Sequence, residues 1–188
     1  MVARRLPRAE RREQILAAAT RAFAHGGYAA TGLDEVAAAA GVTHVILYRH
    51  FTSKNELYRA VLDRARDHIA HTVGTGDYDA GSVTAMLRAA AADPDGFRLL
   101  FRHAAREPEF RDVVDRMRAA GTKIAHHYLD AAIPEPAWRE WAARLIPTVA
   151  QEAVIAWLDA GQPDPERAAQ RVVAAIDGVR QAALKGFD

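Results

Sequence analysis

The stretch Thr31–Phe51, TGLDEVAAAAGVTHVILYRHF, leaves this chain few folds. Its spacing predicts two short helices joined by a tight turn. Thr31 is a good N-cap, and Asp34 places a carboxylate in the first turn, where the helix dipole favours it. Leu33, Val36, Ala37 and Ala40 share one face, and Gly41 supplies the left-handed residue that ends such a run, with Val42 closing the corner. Thr43 then caps a second helix. Leu47 and Phe51, four apart, turn inward, so His44, Val45, Tyr48 and Arg49 face out. Two helices about a glycine turn, the second with an outward polar face, form the pattern of a DNA-binding helix-turn-helix.

The flanking segments extend the pattern. Met1–Glu10 has no apolar period and carries Arg4, Arg5 and Arg8, which predicts a mobile basic arm able to reach phosphates or a minor groove. A first helix is expected over Arg11–His25, with Ile15, Leu16, Ala19, Ala22 and Phe23 on one face and Gly26-Gly27 as its stop. Ser53 and Glu56 form a capping pair in which the glutamate can return a bond to the cap's own N–H. The helix they open runs to about His71 on Leu57, Tyr58, Val61, Leu62, Ala65 and Ile69, ahead of a flexible stretch Gly74–Gly81.

Later helices are expected over Ser82–Ala92, after Asp93-Pro94, from Pro108 to Ala132, over Trp138–Ala160, and from Asp164-Pro165 to Lys185. Pro147 is expected to kink the penultimate one. No alternating strand pattern competes, so the chain is expected to be all-α. It has no cysteine, which excludes disulfides and thiolate sites, and half its residues are apolar. Without a long apolar run or a signal core it is expected to be soluble and cytoplasmic. Net charge is +1, but residues 1–70 carry 11 Lys/Arg against 7 Asp/Glu, so the basic excess lies beside the helix-turn-helix, as a phosphate-binding surface requires. His68 with His71, His103 with Glu107, and His126 with His127 have ligand-like spacings, yet each offers two ligands where zinc takes about four. No motif calls for a cofactor, and no nucleophile elbow, phosphate loop or HExxH suggests an enzyme.

The run Gly41–Lys54, G-V-T-H-V-I-L-Y-R-H-F-T-S-K, resembles the helix-turn-helix signature of TetR-family transcriptional regulators, and the likeness extends over about residues 1–65. One departure is Val45, where the family usually carries a small residue or proline. The resemblance implies a three-helix DNA-binding domain over residues 1–53 and a larger helical ligand-binding and dimerisation domain over 54–188, linked by the fourth helix. It also implies DNA contacts from Thr43, His44, Val45, Tyr48, Arg49, His50 and Lys54, with Arg4, Arg5 and Arg8 of the arm.

Two further expectations concern the larger domain. From Leu145 to Leu158 apolar residues wrap nearly all round the helix, and the last helix is similarly broad, which fits either burial inside one chain or a seam with a second copy. The resemblance favours a homodimer, with Val154, Trp157, Leu158, Val172, Ile176 and Val179 in the seam. The middle region mixes apolar and polar groups as a ligand pocket does, and the resemblance implies a small-molecule effector there. Candidate lining residues are Phe97, Phe101, His103, Met117, His127, Tyr128 and Gln151. The expected activity is a repressor of a palindromic operator released by a small hydrophobic ligand. The alternative is a helical ligand-carrier or assembly protein whose helix-turn-helix is only structural.

Overall fold

The computed structural model describes residues 6–74 and 79–185. Among these the chain is helical throughout: α1 (Arg8–Ala30), α2 (Leu33–Ala39), α3 (His44–Tyr48), α4 (Lys54–Val73), α5 (Ala80–Ala92), α6 (Pro94–Arg98), α7 (Arg111–Leu129), α8 (Pro136–Asp159) and α9 (Pro165–Leu184). Between α6 and α7 a π-helical turn, Leu99–His103, is followed by two short 3-10 turns, Ala104–Arg106 and Pro108–Phe110.

Local chemistry sets most of the boundaries. Thr43, Ser53, Asp93 and Asp164 each accept a bond from the backbone N–H three residues on. The Glu56 carboxylate accepts from the N–H and hydroxyl of Thr52, both at 2.7 Å, rather than from the N–H of Ser53. Thr31 is not the cap of α2. Its side chain is buried and its hydroxyl donates to the Ala22 carbonyl at 3.2 Å, which leaves Gly32 at the cap position without a side-chain bond. α1 starts three residues earlier than expected and ends later, its helical path broken at Gly27 (φ 78°). Arg8 therefore belongs to a helix and not to an arm, whereas Arg4 and Arg5 lie outside the described residues. α5 also starts early, because Asp79 accepts from the Ser82 N–H at 2.7 Å, inside the stretch expected to be flexible. Pro147 is buried and α8 runs through it uninterrupted.

Two cores organise these helices. The first joins Ile15, Leu16 and Phe23 of α1, Val36 and Leu47 of the helix-turn-helix, and Leu57, Tyr58, Val61 and Leu62 of α4. It also takes in Leu99, Leu100, Phe110 and Val113, so the division expected after residue 53 does not coincide with the edge of a core. The second joins α5, α7, α8 and α9 through residues such as Leu87, Leu129, Ile146, Val154 and Val172. Ile69 and Phe101 pack against both.

The turn after α2 needs a left-handed residue. Gly41 has φ 63°, its N–H bonds to the Ala38 carbonyl at 3.0 Å, and the Val42 N–H bonds to Ala37 at 3.0 Å, a Schellman closure. A side chain at this φ costs about 1–2 kcal/mol. Gly41→Ala should therefore lower the chemical-denaturation stability by about that amount, whereas Gly32→Ala, at φ −91°, should change it by much less. Equal effects in urea melts would show that the positive φ is not what demands glycine.

Candidate nucleic-acid interface

The turn just described fixes how α3 is presented. The Gln14 side-chain amide donates to the Ala40 carbonyl at 2.7 Å, which ties α1 to the end of α2. Thr43 Oγ1 accepts from the Ile46 N–H at 3.3 Å and keeps its own proton for an outside acceptor. Leu47 and Phe51 are fully buried, so the opposite face of α3 must be bare. Val45 is 64% and Tyr48 45% exposed. His44 lies edge-on to Tyr48, ring centroids 4.5 Å apart, with Nδ1 3.4 Å from the Asp34 carboxylate. Arg49 completes the outward face.

Basic groups flank this face. His50 is half-buried, and its pKa is lowered by burial and then by the positive charges of Arg8, Arg12 and Arg11. The Arg12 guanidinium stacks 4.9 Å from the centre of the Phe51 ring. Three arginines of the first turns of α1 thus gather beside the end of α3. Sequence reasoning singled out Arg8 alone of them. The 8, 11, 12 spacing would have shown the other two had the first helix been started earlier. Lys54 has an internal role as well, because its ammonium donates to the Ala29 carbonyl at 2.9 Å and sits 4.7 Å over the Tyr28 ring.

Behind the interface a cavity of about 280 Å³ opens between α4, α5, α7 and α8. Of the expected lining residues, Phe101, Met117 and Gln151 reach it. Phe97 is instead buried in the second core, and His103, His127 and Tyr128 do not line the cavity, because periodicity assigns a face but not the neighbour that covers it. Ile69, Val73, Met86 and Ile124 were missed as wall residues. Among the described residues no three His, Asp or Glu side chains come together as a metal site. His126 engages Glu140 at 2.6 Å across α7 and α8.

The expected seam residues take the following places within the single chain. Val154, Trp157, Leu158, Val172 and Ile176 are all at most 7% exposed within the single chain, where α8 and α9 pack on each other and on α5. Trp157 and Val172 also line a groove along α8 and α9. Val179 is half-buried. The large apolar groups these helices leave bare are Trp138, Trp141 and Leu184, at 43%, 40% and 41%.

Residues 15–61, which hold the capped turn and the exposed face of α3, match the family of bacterial regulatory proteins known as the tetR family. Over that segment the chain carries the helix-turn-helix of the tetR family. It is similar to the HTH-type transcriptional activator FasR of Mycolicibacterium smegmatis, 43% identical over 107 residues that make up 53% of this chain and 49% of FasR. The HTH-type transcriptional regulator TtgR of Pseudomonas putida is 44% identical over 71 residues, 36% of this chain and 34% of TtgR. These matches span about half, or less, of the relatives' length. Over the whole fold it is similar to a TetR-like transcriptional regulator from Rhodococcus sp. RHA1, with a TM-score of 0.81 at 23% identity, covering 96% of this chain and 100% of that one. A TetR-family transcriptional regulator from Streptomyces coelicolor gives 0.66 at 26% identity over 94% of this chain and 97% of that one.

His50 makes this surface pH-sensitive. Its folded pKa lies below the ordinary 6.5, so on acidification the unfolded chain takes up this proton first and stability falls. Between about pH 7 and about pH 5 thermal stability should decline, and His50→Gln should flatten that decline. An unchanged slope in the variant would remove His50 as its source.

Proposed function

We propose that this chain is a homodimeric TetR-family transcriptional repressor that binds a palindromic operator and is released by a small hydrophobic effector. One observation carries the DNA-binding part: Val45 and Tyr48 stand bare on a short helix whose other face is fully buried. Exposed apolar and aromatic groups held this rigidly, with arginines alongside, suit a major groove better than water. In this reading His44, Val45 and Tyr48 meet base edges. Thr43, Arg49, His50, Arg8 and the arm residues Arg4 and Arg5 meet phosphates, and Lys54 does so on leaving the Ala29 carbonyl. The bare aromatics at the start of α8 and the exposed end of α9 supply an apolar face for a second copy. The repressor sense has support in relatives named as repressors, such as BepR of Brucella suis, 41% identical over 58 residues, while FasR is named an activator.

Recognition helices of a dimer must sit about 34–36 Å apart to reach successive major grooves, so half-site spacing is part of the test. Fluorescence anisotropy with DNA from upstream of the gene should show tight binding that weakens linearly on a log–log salt plot, by about 0.9 per phosphate contact. Deleting one half-site should cost most of that affinity. Val45→Ala should lose at most about 1–2 kcal/mol of discrimination at one base pair per half-site, as expected for loss of apolar contact with a thymine methyl, and keep non-specific binding. Loss on every sequence alike, with an unchanged melting temperature, would take Val45 out of base readout. No binding to any upstream fragment would favour a ligand-carrier whose helix-turn-helix is only structural.

A further inference from the structure

The cavity's polar groups say what kind of effector it accepts. Its walls are apolar, built from Ile69, Val73, Val83, Met86, Met117 and Ile124, with Phe101 between the two cores. Only Arg66, Ser82 and Gln151 add polar side chains among the described lining residues. Two of the three are already engaged. Ser82 is held by Asp79, which accepts from its backbone N–H at 2.7 Å and also bonds its hydroxyl. The Arg66 guanidinium donates to Asp63 at 2.7 Å and, through two nitrogens, to Asp67 at 3.1 and 2.9 Å. Asp63, Arg66 and Asp67 together carry one net negative charge, so the cation on the cavity's edge is more than neutralised. The side chain of Gln151, half-buried in the wall, makes no hydrogen bond among the described residues.

This arrangement discriminates by charge. A carboxylate entering the cavity would lose its hydration against apolar walls and could reach Arg66 only beside two carboxylates that already hold it. A neutral carbonyl or ester loses far less on desolvation, and the Gln151 amide can donate to it directly. We propose that the cavity selects a neutral hydrophobe with one hydrogen-bond acceptor directed at Gln151, and discriminates against fatty carboxylates. The inference rests on reading the cavity as the effector site.

Two isomeric probes of equal length test it, methyl nonanoate and decanoate, titrated calorimetrically into the full-length protein near neutral pH. The ester should bind at least about tenfold more tightly, because only the carboxylate must shed the hydration of a full charge against apolar walls. Gln151→Leu, with an unchanged melting temperature, should weaken the ester about tenfold. Asp63→Asn with Asp67→Asn releases Arg66 and should strengthen decanoate. Decanoate binding as tightly as the ester, or an ester indifferent to Gln151→Leu, would overturn the inference while leaving the cavity a ligand site. Failure of both probes to bind the folded protein would overturn the effector reading as well.

Discussion

The contact on which this molecule most depends is an aromatic joint between Phe23 and Tyr28 of α1, Tyr58 of α4 and Phe110 at the start of α7. Tyr58 meets Phe23 edge-on at 5.0 Å and Phe110 at 4.5 Å, and Tyr28 meets Phe110 edge-on at 4.9 Å. Polar bonds fasten its rim. Arg59 donates to both carboxylate oxygens of Asp112 at 3.0 Å and to the Glu109 carbonyl at 2.6 Å, while the Glu109 carboxylate accepts from Tyr28 and Asn55. The guanidinium is held through two nitrogens, Nη1 on the Asp112 carboxylate and Nη2 on the Glu109 carbonyl, which fixes its orientation as well as its distance. The joint carries one unmade bond: the Tyr58 hydroxyl is buried without a partner among the described residues, an omission worth about 1–3 kcal/mol.

Because of this joint α4 does not act as a rod hung between two bodies. Its first half is core to the helix-turn-helix and its second half is wall to the cavity, where Arg66, Ile69, Ala70 and Val73 line the space. The π-helical turn repeats the arrangement, with Leu99 and Leu100 in the first core and Phe101 against both. A molecule filling the cavity therefore presses on residues that share packing with the DNA-facing helices. Arrangements packed this tightly respond by shifting between states rather than by bending. A ligand acts on such an equilibrium only through its preference for one of them.

What the sequence made legible was local. Thr43, Ser53, Asp93 and Asp164 were readable as caps because a cap needs only its own next turn, and Gly41 because its φ leaves few other residues. Thr31 misled because its hydroxyl found the Ala22 carbonyl nine residues back, a choice made by the fold of α1 over α2. The segment after Phe97 offered Pro108 as its one clear signal, too little to foresee a π turn and two 3-10 turns. The apolar breadth of α8 was read correctly as burial on several faces. Which faces the chain keeps for itself was not legible, since that depends on α5 and α9 lying alongside. The same ignorance of neighbours put His103, His127 and Tyr128 in a cavity they do not line.

The central claim is that the outward face of α3 docks on DNA and is joined through shared packing to the cavity. Amide hydrogen exchange of the full-length protein with and without its bound upstream DNA tests both halves together. The account predicts slower exchange at Thr43–His50 and at the first turns of α1, with a second change at Ala104–Asp112 and along the cavity half of α4. Protection elsewhere, with the amides of α3 unchanged, would contradict the docking. Protection confined to α3 and α1, with no response at the joint or in α4, would contradict the coupling.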